Sequence, residues 1–407
     1  MGVRRRWLPA VCSLMALSIA ACSGFGGSEV DEPSVDLGLL DVGVYPTQPV
    51  DYGTASTDRM VLHRVREAQR LAEFFPLPAD VDPSLTVLED YSANVFLDGK
   101  TNSSPRIHSV VSLKPISGDA LTSAGFVAGF ATSGATSEYS GQLGLTLSYA
   151  GLVYRDAAAA AIGAAALADA GFNTGQGEPV QLVRFPASRS AWQPKEQTQA
   201  AWHVIGAVVV IVVAENPENR ALGITELASL TGLVEGSLGV LSERLTPYRP
   251  TPVDQLAAMP LDTDGLLRRT VPEATGDEDA VQRGIYDARA DLHLRRDPRR
   301  YAGLYEEYGI DRVAYRGATL VRARDADSAR RYLAAIAVGK YLVREDAPAG
   351  LPQARCARNR SLRQADGTEK YTCSVTFDRF TATVHSAWLR DAQQRISAQY
   401  AILVNSR

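Results

Sequence analysis

The stretch Thr146–Gly171, TLSYAGLVYR-DAAAAAIGAAALADA-G, carries the clearest structural signal in this chain of 407 residues. Thr146–Arg155 has the alternating pattern that is typical of a strand. Asp156–Ala170 is rich in alanine, the best helix former. Asp156 stands where a helix N-cap belongs, and Gly171 stands where a helix ends. The stretch therefore predicts a strand that leads directly into a helix.

A similar junction recurs 169 residues later, where Arg324-Asp325-Ala326 matches Arg155-Asp156-Ala157. Before and after it we expect a strand at Ala318–Arg324 and a helix at Asp325–Val338, ended by Gly339. Each junction is followed by two strands and a helix: Pro179–Phe185, Ala201–Ala214 and Thr225–Leu245 in the first unit; Pro352–Arg358, Lys370–Trp388 (straight or bent) and Leu389–Val404 in the second. The fold class expected is α+β, with two repeated β-α-β-β-α units, mainly antiparallel sheets and helices packed on one face.

Other segments give weaker signals. Thr57–Phe75 has apolar residues at helical spacing. Val95–Ser112 resembles a strand pair that turns at Asp98-Gly99. Ser117–Gly144 is rich in Gly, Ser, Thr and Ala and is predicted to be a long mobile loop, which leaves open whether it is a binding lid or a plain connection. Val281–Tyr308 is predicted to be helical, with a break at Pro298.

At the N-terminus, three arginines precede the apolar segment Trp7–Ala21, which ends in Ile19-Ala20-Ala21-Cys22. This pattern resembles the lipobox of bacterial lipoproteins. The resemblance implies that the Cys22 thiol carries a diacylglyceryl group, that the signal is cut before Cys22, and that the new amine is often acylated. Two alternatives are a retained membrane helix and an ordinary signal peptide with a chance cysteine. Trp7–Ala21 is shorter than the roughly 20 residues that span a bilayer.

The chain divides by composition into five parts. We expect a lipoprotein signal peptide at 1–21, a flexible tether at 22–43, a first α+β unit with an N-terminal helix at 44–250, a linker at 251–280 and a second α+β unit at 281–407.

Charge is distributed unevenly over these parts. The formal net charge is −4, and it becomes −7 when residues 1–21 are removed. Residues 22–280 hold 16 basic and 32 acidic residues, a net −16, whereas 281–407 hold 23 and 14, a net +9. Either the two units dock on each other, or the basic unit faces an anionic partner such as a phosphate-bearing lipid or wall polymer. Nucleic acid is not an expected partner outside the membrane.

Within the basic unit, Arg295, Arg296, Arg299 and Arg300 form a cluster. It is either a solvated helix face or an anion-binding patch.

The four cysteines are expected to have different roles. Cys12 leaves with the signal and Cys22 is taken by lipid. Cys356 and Cys373 remain as a pair 17 residues apart in an oxidising compartment, where a disulfide is the default. Two cysteines are too few for a typical structural zinc site.

No catalytic motif was found: G-x-S-x-G, S-x-x-K, H-E-x-x-H and G-x-x-x-x-G-K-[ST] are all missing from the sequence. A dispersed Ser-His-Asp set remains open, with His108, His203, His293 and His385 as candidates by residue type alone. We expect no catalytic residue, cofactor or metal site to be identifiable, and the question of enzyme activity stays open, with a non-enzyme favoured.

Several short motifs resemble a family of uncharacterised cell-envelope lipoproteins of mycobacteria, nocardiae and related actinobacteria: Val44-Tyr45-Pro46-Thr47, Glu67-Ala68-Gln69-Arg70, Ala124–Phe130, Val313-Ala314-Tyr315 and Arg322–Ala326. The resemblance implies an envelope location and transfers no catalytic residue. The β-α-β-β-α order also resembles the extracellular sensor domain of mycobacterial serine/threonine kinases. That domain has two disulfides, whereas this chain can form at most one.

These observations favour a non-enzymatic lipoprotein on the outer face of the plasma membrane. It would bind an envelope lipid, a glycan or a protein partner in a groove between its two units. The alternatives are an envelope hydrolase with a dispersed catalytic site and a structural or assembly lipoprotein.

Overall fold

Two antiparallel seven-stranded sheets form the framework of the protein. The computed structural model describes residues 35–53, 59–87, 94–97, 113, 121, 123–137, 143–273, 283–360 and 370–406. The first sheet comprises β1 Asn94–Phe96, β2 Phe126–Ala135, β3 Thr146–Tyr154, β4 Glu178–Pro179, β5 Arg189–Gln193, β6 Thr198–Ile205 and β7 Val208–Glu215. The second comprises β8 Gly284–Asp287, β9 Arg312–Tyr315, β10 Thr319–Arg322, β11 Leu342–Glu345, β12 Arg355–Asn359, β13 Tyr371–Phe377 and β14 Phe380–Ser386.

Helices pack on these sheets and connect their strands. They are α1 Arg59–Ala72, α2 Pro78–Val81, α3 Ala157–Ala170, α4 Pro217–Leu222, α5 Ala228–Leu245, α6 Ala288–Leu292, α7 Pro298–Tyr308, α8 Ala326–Ile336 and α9 Leu389–Val404. We call α1 to α5 with the first sheet the first half, and α6 to α9 with the second sheet the second half. No described helix is long and apolar enough to cross a bilayer, and residues 7–21 lie outside the described part of the chain.

The two sheets have the same topology. The spatial order of strands is β1-β2-β3-β7-β6-β5-β4 in the first sheet and β8-β9-β10-β14-β13-β12-β11 in the second. In both, a helix follows the third strand and a hairpin of the last two strands inserts beside that strand. The α+β class with antiparallel sheets is therefore confirmed, and the shared order supports an internal duplication.

The strand-to-helix junctions are confirmed at the level of individual caps. The side chain of Asp156 accepts a hydrogen bond from the backbone N–H of Ala159, and Asp325 accepts one from Ser328, both at 2.7 Å. These backbone donors lower the pKa of each carboxyl group. Gly171 ends α3 with a φ of +71°, a value that glycine tolerates best.

Two expected strands are in fact hairpins. Ala201–Ala214 contains β6, a turn at Gly206 and β7; Lys370–Trp388 contains β13, a turn at Asp378 and β14. Gly206 and Asp378 both have positive φ, at 58° and 50°. The turn Gly206-Ala207 hardly interrupts the apolar run around it, and the turn Asp378-Arg379 is only two residues long, so the sequence pattern did not separate the two strands of either hairpin.

Three further expectations were wrong in part. The predicted loop Ser117–Gly144 contains β2, whose ten residues are all buried. The small residues of β2 have a packing role, since a Cβ on Gly129 would lie 2.2 Å from the Phe96 ring. Within the predicted helix Val281–Tyr308, the described residues form the strand β8 before the helices α6 and α7. Of the predicted strand Pro179–Phe185, β4 includes Pro179, and the Val180 N–H donates to the Ser190 oxygen at 2.9 Å. Most of the predicted strand pair in Val95–Ser112 lies outside the described residues.

Helices cover both faces of each sheet rather than the one face expected. In β7, Val208, Val210 and Val212 pack in the core that contains α5, whereas Val209, Ile211 and Val213 pack in the core that contains α3. In the second sheet, Phe377 contacts Tyr400 of α9, and Thr381 bonds to the backbone of α8 on the opposite face. Alternating side chains of one strand point to opposite faces, which places the two helices on opposite sides.

The halves are packed directly against each other. Helix α1 crosses β8 so closely that only glycine fits at Gly284, where φ is +134° and an added Cβ would lie 2.1 Å from Gln69. The His293 ring is buried 5.3 Å from the Phe130 ring and bonds to Thr132. Gln69, Phe130 and His293 are all buried, so the two halves are closely packed at these contacts. The groove described below lies within the second half.

Candidate ligand-binding site on the second sheet

A groove of about 1020 Å³ lies on the face of the second sheet that α8 only partly covers. Its floor is formed by β10, β14, β13 and β12, with β11 at one side. Residues of α8 and of the loop that follows it, from Arg330 to Gly339, form the other side. The volume is in the range of small-molecule sites.

Hydroxyl groups cover the floor because alternate residues of two neighbouring strands face the groove. They are Thr372, Ser374 and Thr376 on β13 and Thr383 on β14, next to His385. Ser374 and Thr383 share a hydrogen bond of 2.9 Å between their hydroxyl oxygens. Thr372 Oγ1 lies 3.1 Å from His385 Nδ1. The side chains between them, on the other face of β13 and β14, form part of a buried apolar layer.

Arginines supply the charge of the groove. Arg344 on β11 and Arg355 on β12 are exposed and lie on the same face of adjacent strands. Among the described residues neither guanidinium has an ion pair or a hydrogen bond, and Arg330 of α8 has only a 3.4 Å contact with Asp327. No Asp or Glu is among the described residues that line the groove. These cations create a positive potential that would attract an anion.

We name this cavity the arginine groove and define it by Arg330, Arg344, Arg355 and the hydroxyl floor. Gln353 also lines it, and its Oε1 atom is buried without a hydrogen-bond partner in the described structure. A buried acceptor without a donor is costly unless a ligand or water supplies one. The groove thus offers cations for an anionic group, and it offers hydroxyls and an amide for a polyol.

Arg295 closes one end of the groove but is already paired. Its Nε atom lies 2.6 Å from Oδ2 of Asp291, a fully buried carboxylate that also accepts hydrogen bonds from the hydroxyls of Tyr305 and Tyr315. The guanidinium stacks 4.7 Å from the Tyr301 ring centre. Burial opposes the charge, but the Asp291 carboxylate raises the pKa of Arg295 above its usual value. We interpret this network as the structural end wall of the groove.

The four clustered arginines of the sequence do not gather at one surface. Arg295 turns inward to Asp291, Arg299 donates to the backbone oxygen of Pro83, and Arg300 donates to that of Ala335 at 3.0 Å. Arg296 is exposed. The structure therefore splits the cluster between the core, the other half and α8, because Pro298 starts a new helix within it.

The disulfide is confirmed. Cys356 and Cys373 are bonded and lie directly opposite each other on β12 and β13, with Cα atoms 4.1 Å apart. Both are buried on the face opposite the groove. The turn predicted at residues 362–368 lies largely outside the described residues, as does Cys22.

The candidate histidines fall in different places. His108 lies outside the described residues. His203 Nδ1 lies 2.9 Å from Ser188 Oγ, and its pKa is lowered by burial, with no carboxylate among the causes. His293 is fully buried, which lowers its pKa to about 4. His385 faces the arginine groove. A triad needs a carboxylate hydrogen-bonded to the imidazole, and among the described residues neither His203 nor His293 has such a bond.

The matching face of the first sheet is sealed. Because both junctions and all strand registers correspond, Ile211 occupies the position of Thr383, Trp202 that of Ser374 and Arg189 that of Arg355. Arg189 is not free, since it bonds to Asp169 at 2.6 Å and to the Ala165 oxygen at 3.2 Å, both on α3. Helix α8 has 11 residues against 14 in α3, and the position of Asp169 is taken by Val338.

Sequence reasoning missed most residues of this groove: it named only His385, as a candidate by residue type, and Arg295, as a member of the arginine cluster. The signal was present in Thr372-x-Ser374-x-Thr376 and Thr381-x-Thr383-x-His385, two alternating runs in a predicted single strand. Only the hairpin places these runs side by side on one face. Among the described residues no group of three His, Cys, Asp or Glu could hold a metal ion.

Comparisons with known proteins give a family but no activity. Residues 53–261 match the N-terminal part of a domain of unknown function (DUF7373), and residues 266–406 match its C-terminal part. The chain belongs to the DUF7373 family. No curated protein matches this DUF7373 chain.

Among solved structures, the chain is similar to the extracellular domain of PknH from Mycobacterium tuberculosis. The identity is 14%, the match covers 44% of this chain and 95% of that one, and the TM-score is 0.29. A similarity this weak supports no conclusion about function.

Proposed function

We propose that this DUF7373 protein is a lipid-anchored, extracytoplasmic binding protein of the cell envelope. Its ligand would be an anionic, hydroxyl-rich molecule, such as a phosphate-bearing glycan, held in the arginine groove. The anchor would be the acylated Cys22, and the protein would bind its ligand outside the plasma membrane.

The observation that carries the proposal is the contrast between Arg355 and Arg189. Two matching arginines stand on matching strands, and only the one beside an open, hydroxyl-covered sheet face lacks a carboxylate partner among the described residues. A site that must release and accept an anion is expected to leave its cations without a protein counter-ion. The disulfide supports an oxidising compartment, and the lipobox resemblance supports an anchored one.

A titration can test the groove with matched variants. We expect glucose 6-phosphate to shift NMR signals of residues in the groove more strongly than glucose does, in a chain that begins at Ser23. Arg355→Gln should weaken this binding by about tenfold or more, because a hydrogen bond to a charged group contributes about 1.5–3 kcal/mol. Arg189→Gln, the matched position in the first half, should leave it unchanged.

The proposal fails if both variants lose binding equally or if glucose binds as well as its phosphate. Native mass spectrometry of protein purified from the envelope would identify a co-purified glycan or lipid directly. Recovery of neutral molecules alone would also contradict an anion site.

The anchor is tested separately with Cys22→Ser. We expect this variant to leave the membrane fraction, since two or three acyl chains hold a protein firmly and their loss removes that energy. Retention in membranes, or an unmodified Cys22 thiol by mass spectrometry of the wild-type protein, would contradict the lipoprotein assignment.

A further inference from the structure

The arginine groove has two chemically different ends. At one end, Arg344 on β11 and Arg355 on β12 are exposed, and neither has an ion pair or a hydrogen bond among the described residues. At the other end, beside β10, the groove is lined by Arg295 and Tyr301. The charge of Arg295 is balanced there by the buried carboxylate of Asp291, 2.6 Å away. An anionic group is therefore attracted to the end formed by β11 and β12.

A row of polar side chains joins the two ends across the floor. It consists of residues that stand directly opposite each other on neighbouring strands: Thr319 on β10, Thr383 on β14, Ser374 on β13 and Arg355 on β12. Residues in such positions have Cβ atoms about 5 Å apart, so the hydroxyl groups follow one another at regular steps toward the arginine. The hydrogen bond between Ser374 and Thr383 uses one donor and one acceptor, and the pair keeps a donor and further acceptor positions for a ligand.

A second row runs beside the first, two residues further along each strand. It consists of His385 on β14, Thr372 on β13, Ala357 on β12 and Arg344 on β11, which again stand directly opposite one another and line the groove. The two rows define one direction across the strands, along which polar side chains lead to a guanidinium group.

Tyr301 supplies an aromatic surface at the end away from Arg344 and Arg355. Its ring is half-buried and lies 4.7 Å from the Arg295 guanidinium and 5.9 Å from the Tyr305 ring, which hold it in place. A ring that is already ordered loses little conformational entropy when a ligand packs on it. The apolar C–H face of a sugar packs well on such a ring, and the hydroxyl groups of a sugar suit the polar floor.

The groove is longer than glucose 6-phosphate. It crosses the five strands from β10 to β11, and the outer two are four strand spacings, or about 19 Å, apart. A single sugar ring with its phosphate at Arg355 would not reach Tyr301. Most of the hydroxyl rows would then take no part in recognition.

We propose that the ligand is an extended glycan of two or more sugar rings that carries an anionic group at one end. The anionic group lies between Arg344 and Arg355, the rings follow the two rows across the strands, and an uncharged ring packs on Tyr301. An acyl chain in the same place would cover hydroxyl groups that it cannot bond, at a cost in free energy. This inference rests on the proposed anion site and adds to it the length and the direction of the ligand.

Two phosphates that differ by one uncharged ring test the length. Maltose 6′-phosphate contains glucose 6-phosphate and one further glucose ring, with the same charge. All described helices and strands lie within residues 36–407, so a chain that begins at Ser23 retains the fold. In NMR titrations of this chain we expect maltose 6′-phosphate to bind about fivefold more tightly or better, because the added ring gains contacts with hydroxyl groups and with Tyr301. Only the longer phosphate should shift the signals of Tyr301 and Thr319.

Matched variants assign this gain to the aromatic end. Tyr301→Ala should weaken the binding of maltose 6′-phosphate by about fivefold and leave that of glucose 6-phosphate unchanged, because only the second ring reaches Tyr301. Tyr301→Phe keeps the ring and should bind both phosphates like the wild type. Tyr371→Ala removes a half-buried tyrosine of β13 that points away from the groove, and it should also bind both like the wild type. Should Tyr301→Ala not fold, the NMR shifts of the wild type decide the same question.

Equal affinities of the wild type for the two phosphates would overturn the inference, as would equal losses of both in Tyr301→Ala. Octyl phosphate carries the same anionic group on an apolar tail. If it binds as tightly as maltose 6′-phosphate and is weakened in the same way by Tyr301→Ala, an apolar tail and not a glycan occupies the groove.

Arg355→Gln separates this inference from the proposed function. It should weaken the binding of both phosphates. If it weakens neither, the anion site itself is wrong. If it weakens both while the second ring adds no affinity in the wild type, the anion site stands and only the extended ligand is wrong.

Discussion

The two sheets of this protein share one topology and differ in what covers one face. In the first sheet, Trp202, Ile211 and their neighbours form an apolar layer under α3. In the second, the corresponding positions hold hydroxyl groups and a histidine under a shorter helix. The matched pairs are Val209 with Thr381, Ile211 with Thr383, Val213 with His385, Val204 with Thr376, Trp202 with Ser374 and Ala200 with Thr372.

The difference shows how a duplicated scaffold can separate stability from binding. The last turn of α3 places Asp169 over Arg189, and Phe172 packs on Trp202 with ring centres 6.3 Å apart. Helix α8 ends about one turn earlier, so Arg355 and the hydroxyl floor stay uncovered. The opposite face of the second sheet has the disulfide where the first has Ser190 and Ala201.

The largest effect is expected at Trp202, in the middle of the apolar layer that α3 covers. Trp202→Ser, which copies the second half, should lower the free energy of unfolding by about 3–5 kcal/mol, because a large buried ring leaves a cavity. Ser374→Ala on the open face should cost about 1 kcal/mol, the value of one hydrogen bond. Urea denaturation measures both. Equal costs would mean that the two faces are packed alike.

The sequence predicted the matching junctions of the two halves, but neither the contrast between their sheet faces nor the site. The caps at Asp156 and Asp325 were predictable because short polar side chains before a helix have a local meaning. Strand β2 was not predictable, because its small residues are needed to make room for the Phe96 ring, and this contact joins residues that are distant in sequence. The arginine groove needs the pairing of four strands, and no local pattern states that Arg344 and Arg355 share a face.

Removing the disulfide tests whether the second half, whose sheet has an uncovered face, needs a covalent bridge that the first half lacks. We expect Cys356→Ser with Cys373→Ser to lower the free energy of unfolding by about 3 kcal/mol, since the bridge closes a loop of 17 residues. Denaturation with and without a reductant measures this. The reductant should destabilise the wild type to the level of the variant and leave the variant unchanged; an equal response of both would contradict the prediction.

The contact between the halves should respond to acid through His293. Burial lowers its pKa from 6.5 to about 4, so the folded protein keeps the ring neutral where the unfolded chain binds a proton. Stability is therefore retained above pH 6.5 and decreases as the pH falls toward 4, by up to about 3 kcal/mol. His293→Gln keeps a polar side chain that cannot titrate. Its unfolding free energy should fall less steeply than that of the wild type in this window, and parallel curves would contradict the assignment.

The smallest effects are expected from exchanging the residues at the position that faces the two matching arginines, Asp169 beside Arg189 and Val338 in the second half. Val338→Asp places a carboxylate at the position of Asp169 and should pair with Arg355, weakening glucose 6-phosphate binding severalfold. Asp169→Val should release Arg189 without opening a site, because Phe172 and Trp202 still fill that face. Both changes should alter the unfolding free energy by less than about 1 kcal/mol, as is usual for exposed ion pairs.

Titration and denaturation of the two variants together separate charge from shape. If Val338→Asp leaves binding intact, the groove recognises shape or hydroxyl groups rather than the anion. If Asp169→Val creates binding in the first half, then a free arginine alone makes the site. We expect neither, because an anion site on this scaffold needs both a released arginine and a face that its helix leaves uncovered.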